Sequence, residues 1–145
     1  FATGERLHTL EEFGMLLARN ACQYIRPDVC LCGGITQAKK IAAAAEARGV
    51  LVVPHNPLSP VSTAACIQLA ASIPNFAIQE YPLGEDCAPK NEIVKSTLTL
   101  DNGYLTVPDS PGIGIELNEQ AMHQYPYKPR LYVTKLREDG SVVDQ

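Results

Sequence analysis

Val50-Leu51-Val52-Val53 is an unbroken apolar run, rich in β-branched residues and closed at once by Pro54-His55-Asn56-Pro57. A run of that kind suits a strand buried on both faces, the habit of parallel sheets. Parallel neighbours need crossover connections, and both flanks of the run supply one. Upstream, helical periodicity runs from about Gln37 to Arg48, with Thr36 as the expected N-cap and Gly49 as the expected stop after the helix. Downstream, Ser59 is the expected N-cap and Pro60 the first residue of a helix reaching about Ser72. Further strand-like runs lie at Phe1-Ala2-Thr3, at residues 23–27 and at Phe76-Ala77-Ile78-Gln79.

Strand–helix alternation with short loops predicts parallel βα units, a pattern that a doubly wound sheet and a barrel both satisfy. Gly33-Gly34 is a weak signal, and no G-x-G-x-x-G follows a strand, so dinucleotide binding has little support. After Pro82 the character changes to Pro, Gly and short β-like runs at Tyr104–Val107, Gly112–Leu117 and Leu131–Val133, with a short helix expected over Asn118–Gln124. Two regions follow, 1–92 with βα character and 93–145 as an irregular extension of the same domain.

At 145 residues, 46% hydrophobic and 19% charged, the chain is long enough for a real core. A net charge of −4 gives no basic footprint for nucleic acid, and no run of 18 apolar residues marks a membrane span. The cysteine count is odd, at five, and Cys30 and Cys32 alternate in a strand-like run. The expectation is reduced, buried thiols and a cytoplasmic-type compartment, with a metal or disulfide role as the alternative. The chain starts at Phe1, inside a strand-like run and with no signal peptide in view, which reads as a piece of a longer protein.

The placement of ionisable residues is more telling. Glu5, Asp28, His55 and Glu80 each sit at or just past the end of an expected strand, at separations of 28 − 5 = 23, 55 − 28 = 27 and 80 − 55 = 25. Each interval is about one βα repeat, so parallel strands in register would bring all four to one rim, where barrels and open sheets carry out chemistry. Taken singly, each has a plainer reading: a helix cap or solvated loop residue for Glu5 and Asp28, a packed or exposed loop residue for His55, a salt-bridge partner for Glu80. Taken together, four such groups on one rim call for a cation or a substrate. Histidine can accept a proton and return it near neutral pH, a neighbouring aspartate can fix its tautomer, and a carboxylate such as Glu5 suits a hard cation like Mg²⁺. His8 and His123 read as loop or surface residues, Lys39-Lys40 as a solvated helix face, and Arg6 as a surface residue or a substrate contact.

These segments resemble the enolase superfamily. Ala2-Thr3-Gly4-Glu5-Arg6, Gln23 to Asp28 with Gly33-Gly34-Ile35-Thr36, Pro54-His55, Ile78-Gln79-Glu80 and Pro108 to Gly114 carry the likeness. The mandelate racemase and muconate lactonizing branch is nearest, and within it the D-galactonate dehydratase group. That resemblance implies an α/β fold, the part of a (β/α)8 TIM barrel from the end of its fifth strand to its eighth, with a tail returning toward an N-terminal capping domain. It implies Glu5 as a Mg²⁺ ligand, Asp28 as the orienting carboxylate and His55 as the general base. Glu80 would hydrogen-bond the enediolate, and Glu80, His55 and Asn56 would contact a small sugar-acid substrate. The reaction implied is dehydration to a 2-keto-3-deoxy acid by a hydro-lyase that forms homo-oligomers when full length and binds neither nucleic acid nor membrane.

Two further metal ligands, the acid that assists loss of the hydroxyl and the capping domain have no counterpart here. Three βα units and a strand end cannot close an eight-stranded barrel, so the isolated chain is expected to be unstable as a monomer and inactive. Leu58-Ser59-Pro60-Val61 and Asn75 to Tyr81 also resemble mannonate dehydratases. Other aldonate dehydratases, a racemase and a non-catalytic half-barrel module are the remaining alternatives.

Overall fold

The computed structural model describes residues 1–129 and 134–143. Three parallel strands, β1 (Ala2–Thr3), β2 (Tyr24–Ile25) and β3 (Leu51–Val52), lie in the order β1-β2-β3. The helices α1 (Leu10–Ala18) and α2 (Gly34–Glu46) connect them, and α3 (Pro60–Ala71) follows β3. Beyond α3, Phe76 makes a parallel bridge with Val52, supported by Val52 N–H donating to Asn75 O (2.8 Å) and Ala77 N–H donating to Val52 O (2.9 Å). The strand expected over Phe76–Gln79 is therefore reduced to that bridge. The partner run ends in Pro54, which has no N–H to continue the ladder.

Side chains alternate across the short strands. Ile25 and Val52 are fully buried in one cluster with Phe13 and Leu17 of α1, Ile41 of α2 and Leu69 of α3. Full burial of each such side chain stabilises the fold by about 1.5–3 kcal/mol. On the opposite face Tyr24 and Leu51 remain 37% and 38% exposed. The helices thus cover a single side of the sheet.

Local sequence explains where the helices begin and end. α1 opens with a capping box: Glu12 N–H donates to Thr9 Oγ1 (3.2 Å), while Thr9 N–H donates to Glu12 Oε2 (2.9 Å). α2 starts at Gly34, two residues before the expected cap at Thr36, because Val29–Gly33 already forms a tight turn after Asp28. The same turn removes the strand-like run expected at Cys30 and Cys32. α2 ends in a Schellman pattern, with Val50 N–H on Ala45 O (3.0 Å) and Gly49 N–H on Glu46 O (2.9 Å), and Gly49 at φ +66°. α3 begins at Pro60 behind Ser59, as the sequence indicates, although the Ser59 side chain makes no capping hydrogen bond. Asn75 Nδ2 donates to Ala42 O and Val50 O, both at 3.0 Å, and so ties α2 to the start of β3.

The tail contains a 3-10 turn (Lys90–Ile93), an antiparallel pair β4 (Leu100–Asp101) and β5 (Tyr104–Leu105), and a short helix α4 (Ala121–Gln124). The strand expected over Gly112–Leu117 reduces to one bridge, Val94 with Leu117, because Gly112 and Gly114 take positive φ and break the extension. Residues Leu131–Val133, also expected to be extended, lie outside the described residues.

Candidate active site

Strand register brings the ionisable residues to one end of the sheet. Thr3, Ile25, Val52 and Phe76 stand level with one another across the sheet. From that level Glu5 is 5 − 3 = 2 residues on, Asp28 is 28 − 25 = 3, His55 is 55 − 52 = 3 and Glu80 is 80 − 76 = 4. Asp28 and His55 form a parallel bridge of their own, with His55 N–H donating to Pro27 O at 3.1 Å.

Asp28 is 1% exposed. Its Oδ1 accepts from Cys30 N–H (2.8 Å), which closes the turn into α2 and turns Oδ2 toward the imidazole. Oδ2 lies 3.0 Å from Nδ1 of His55. An ionised carboxylate only accepts, so Nδ1 carries the proton and Nε2 keeps its lone pair as the basic nitrogen. His55 stays partly open to solvent.

Glu80 lies on the other side of His55. Its Oε2 accepts from Asn56 N–H and from Arg26 Nη2, both at 2.7 Å. Partial burial works against its charge, yet these two donors, with the positive charge of Arg26, outweigh burial and hold the carboxyl below its ordinary range. Arg26 and Asn56 thus fix the Glu80 carboxyl at the rim. Arg26 shares the face of Asp28 by strand alternation, and that spacing is the signal that would have found it in the sequence.

Asn56 departs from its expected role in contacting substrate. It is 0% exposed, and its amide Nδ2 donates inward to Thr63 Oγ1 (2.7 Å) and Glu80 O (3.0 Å). It holds the wall of the site instead of lining its opening. Thr63 in turn donates to Oε2 of Glu85 (2.7 Å), a carboxyl that is 0% exposed and whose pKa burial pushes upward. Neither Thr63 nor Glu85 carries a sequence signal, since their meeting depends on how α3 lies against the loop after Glu80.

Glu5 sits at the same rim, half-buried beside Gly4. A Cβ at Gly4 would stand 2.7 Å from Phe13 Cε1, so the chain passes over α1 at the one residue without a side chain. Among the described residues no three His, Cys, Asp or Glu are arranged to hold a metal ion. Glu5 is the right ligand type for Mg²⁺, a hard oxygen donor, but one carboxylate does not make a site for an ion that seeks octahedral oxygen ligation. His8, His123, Lys39, Lys40 and Arg6 are all exposed.

All five cysteines are free. Cys22, Cys32 and Cys66 are buried as expected, whereas Cys30 and Cys87 are exposed. Burial pushes the Cys32 thiol up to about 11 and the Cys66 thiol up to about 12, so both stay protonated and act as small apolar groups. Among the described residues no helix is long and apolar enough to cross a membrane.

Residues 1–121 match the family model of enolase C-terminal domain-like proteins. The chain belongs to that family. A D-galactonate dehydratase family member from Streptomyces bingchenggensis is 35% identical over 145 residues, covering 99% of this chain and 35% of its own length. A D-galactonate dehydratase from Verminephrobacter eiseniae is 36% identical over 123 residues, covering 81% and 32%. The crystal structure of an enolase from Agrobacterium radiobacter, with sodium and L-malate bound, superposes with a TM-score of 0.87 at 36% identity, over 97% of this chain and 39% of that one. The chain therefore has the α/β fold of an enolase C-terminal, TIM-barrel-like domain, and it spans about a third of the length of the curated relatives it matches.

Proposed function

We propose that this chain is the part of a sugar-acid dehydratase that carries its general base, with His55 removing the proton alpha to the substrate carboxylate. One observation carries the reading: the 3.0 Å contact between Nδ1 of His55 and Oδ2 of buried Asp28, which leaves Nε2 free to accept a proton. Proton removal breaks the C2–H bond and moves its electron pair toward the carboxylate. Loss of the C3 hydroxyl then gives an enol, which becomes the 2-keto-3-deoxy acid. Glu80, held beside His55 by Arg26 and Asn56, is the residue that would hydrogen-bond the developing enediolate.

The strands of this chain correspond in this reading to the end of the fifth through the eighth of the barrel, and the residues from 93 onward approach a capping domain. Magnesium belongs to the same reading, with Glu5 as one ligand and the other carboxylates supplied from outside this chain. The acid that assists loss of the hydroxyl comes from outside it as well. Names of the relatives favour D-galactonate as substrate, giving 2-dehydro-3-deoxy-D-galactonate. D-mannonate is the second reading, favoured by Leu58-Ser59-Pro60-Val61 and the run Asn75 to Tyr81. The protein is read as a cytoplasmic homo-oligomer.

The test is a screen of acid sugars with the full-length protein containing this chain. Turnover of an aldonate is expected, with exchange of its C2 proton in D₂O, and His55→Gln should remove about 10²–10⁴-fold of the rate. Undiminished C2 exchange in His55→Gln would end the proposal.

A further inference from the structure

We propose that Thr63 and Glu85 are positioning residues that hold the Glu80 carboxylate beside His55 through Asn56. The inference rests on the dehydratase reading above and adds to it two buried residues behind the wall of the site.

The hydrogen bonds run in one direction. Asn56 Nδ2 donates to the Glu80 carbonyl at 3.0 Å, and a carbonyl oxygen only accepts, so the amide must present its NH₂ group there. The same NH₂ donates to Thr63 Oγ1 at 2.7 Å. Thr63 has a single hydroxyl proton, which goes to Glu85 Oε2 at 2.7 Å. Glu85 thus fixes the threonine hydroxyl, the hydroxyl fixes the Asn56 amide, and the amide fixes the main chain of Glu80. The backbone N–H of Asn56 holds the Glu80 side chain as well, at 2.7 Å from Oε2. One residue therefore grips both ends of Glu80, and its neighbour in sequence is His55.

Asn56, Thr63 and Glu85 are all buried, and Glu85 Oε1 and Asn56 Oδ1 have no partner among the described residues. Two orphaned polar atoms and a buried carboxyl are costly, and an apolar trio of similar shape would fold more stably. The cost matches a role in geometry at the site, where a misplacement of about 1 Å lowers a rate by about a hundredfold.

The experiment compares Thr63→Val and Thr63→Ser in the full-length protein, each alone and in a Glu80→Gln background, using the aldonate found in the screen. Thr63→Val is expected to lower kcat about tenfold or more with KM within about twofold, and Thr63→Ser, which keeps the hydroxyl, to retain most of the rate. In the Glu80→Gln background the Thr63→Val loss should disappear, because the residue acts through Glu80. Equal losses in the Val and Ser variants, or a Val loss undiminished in the Glu80→Gln background, would overturn the inference. If the wild type turns over no aldonate, the dehydratase reading falls, and crystal structures of the wild type and Thr63→Val decide the present point. A Glu80 carboxylate that leaves the Asn56 N–H in Thr63→Val supports it, and one that stays overturns it.

Discussion

Asp28 does two tasks with two oxygens, and a single substitution separates them. Asp28→Asn keeps an acceptor for Cys30 N–H, so the turn into α2 survives. The new amide then presents N–H groups to Nδ1 of His55, which moves the imidazole proton to Nε2 and abolishes the base. We expect kcat to fall about a hundredfold or more, with the melting temperature changed by only a few degrees. A variant with near-normal kcat would remove Asp28 from the reaction. Glu85 gives a prediction in pH. Its pKa lies above the ordinary 4.5, so the folded protein holds a proton that the unfolded chain has already released. The stability Glu85 contributes is complete below that ordinary value and is lost as pH rises through the folded value. Glu80 has the opposite sign, contributing above the ordinary range and losing its contribution on acidification. Melting temperatures across pH should therefore drop less steeply on the rising side for Glu85→Gln than for the wild type.

Helix ends show how much of an element is written locally. Gly49 sits at φ +66° with open space where a Cβ would stand, so Gly49→Ala tests conformation without a clash. A cost of about 1–2 kcal/mol is expected from thermal unfolding of the full-length protein, and Gly49→Asn should cost less. The stop at Gly49 and the start of α3 at Ser59-Pro60 were legible because one residue's backbone preference decides each. The start of α2 was not. Thr36 has the side chain of a cap, but the turn built on Asp28 had already begun the helix at Gly34, and that turn depends on a contact with Cys30 and on the strand beside it. The strand expected at Phe76–Gln79 is shorter than its residues suggest for a similar reason: its extent depends on where its partner loses N–H donors, at Pro54.

For the molecule as a whole, the telling fact is the bare face of the sheet. Tyr24 and Leu51 are exposed there, and Ile78 is 65% exposed beside the last parallel bridge. Exposed apolar surface and open parallel edges favour association. The 145-residue chain by itself is expected to bind a dye for apolar surface, to sediment as a heterogeneous mixture and to show no dehydratase activity. A monodisperse monomer with one sharp melting transition would contradict this.

What the chain determined by itself was periodic: βα repeats, the helix punctuation of Gly49 and Ser59-Pro60, and the spacing that carries Glu5, Asp28, His55 and Glu80 to one end of the strands. Each of these depends on residue type and on distance along the chain, which a sequence displays directly. Only the tertiary structure decided that Arg26 pairs with Glu80, that Asn56 turns inward, and that Thr63 and Glu85 stand behind it. Those contacts join residues as many as 54 positions apart, and a hydrogen bond forms only where packing has already brought donor and acceptor within reach.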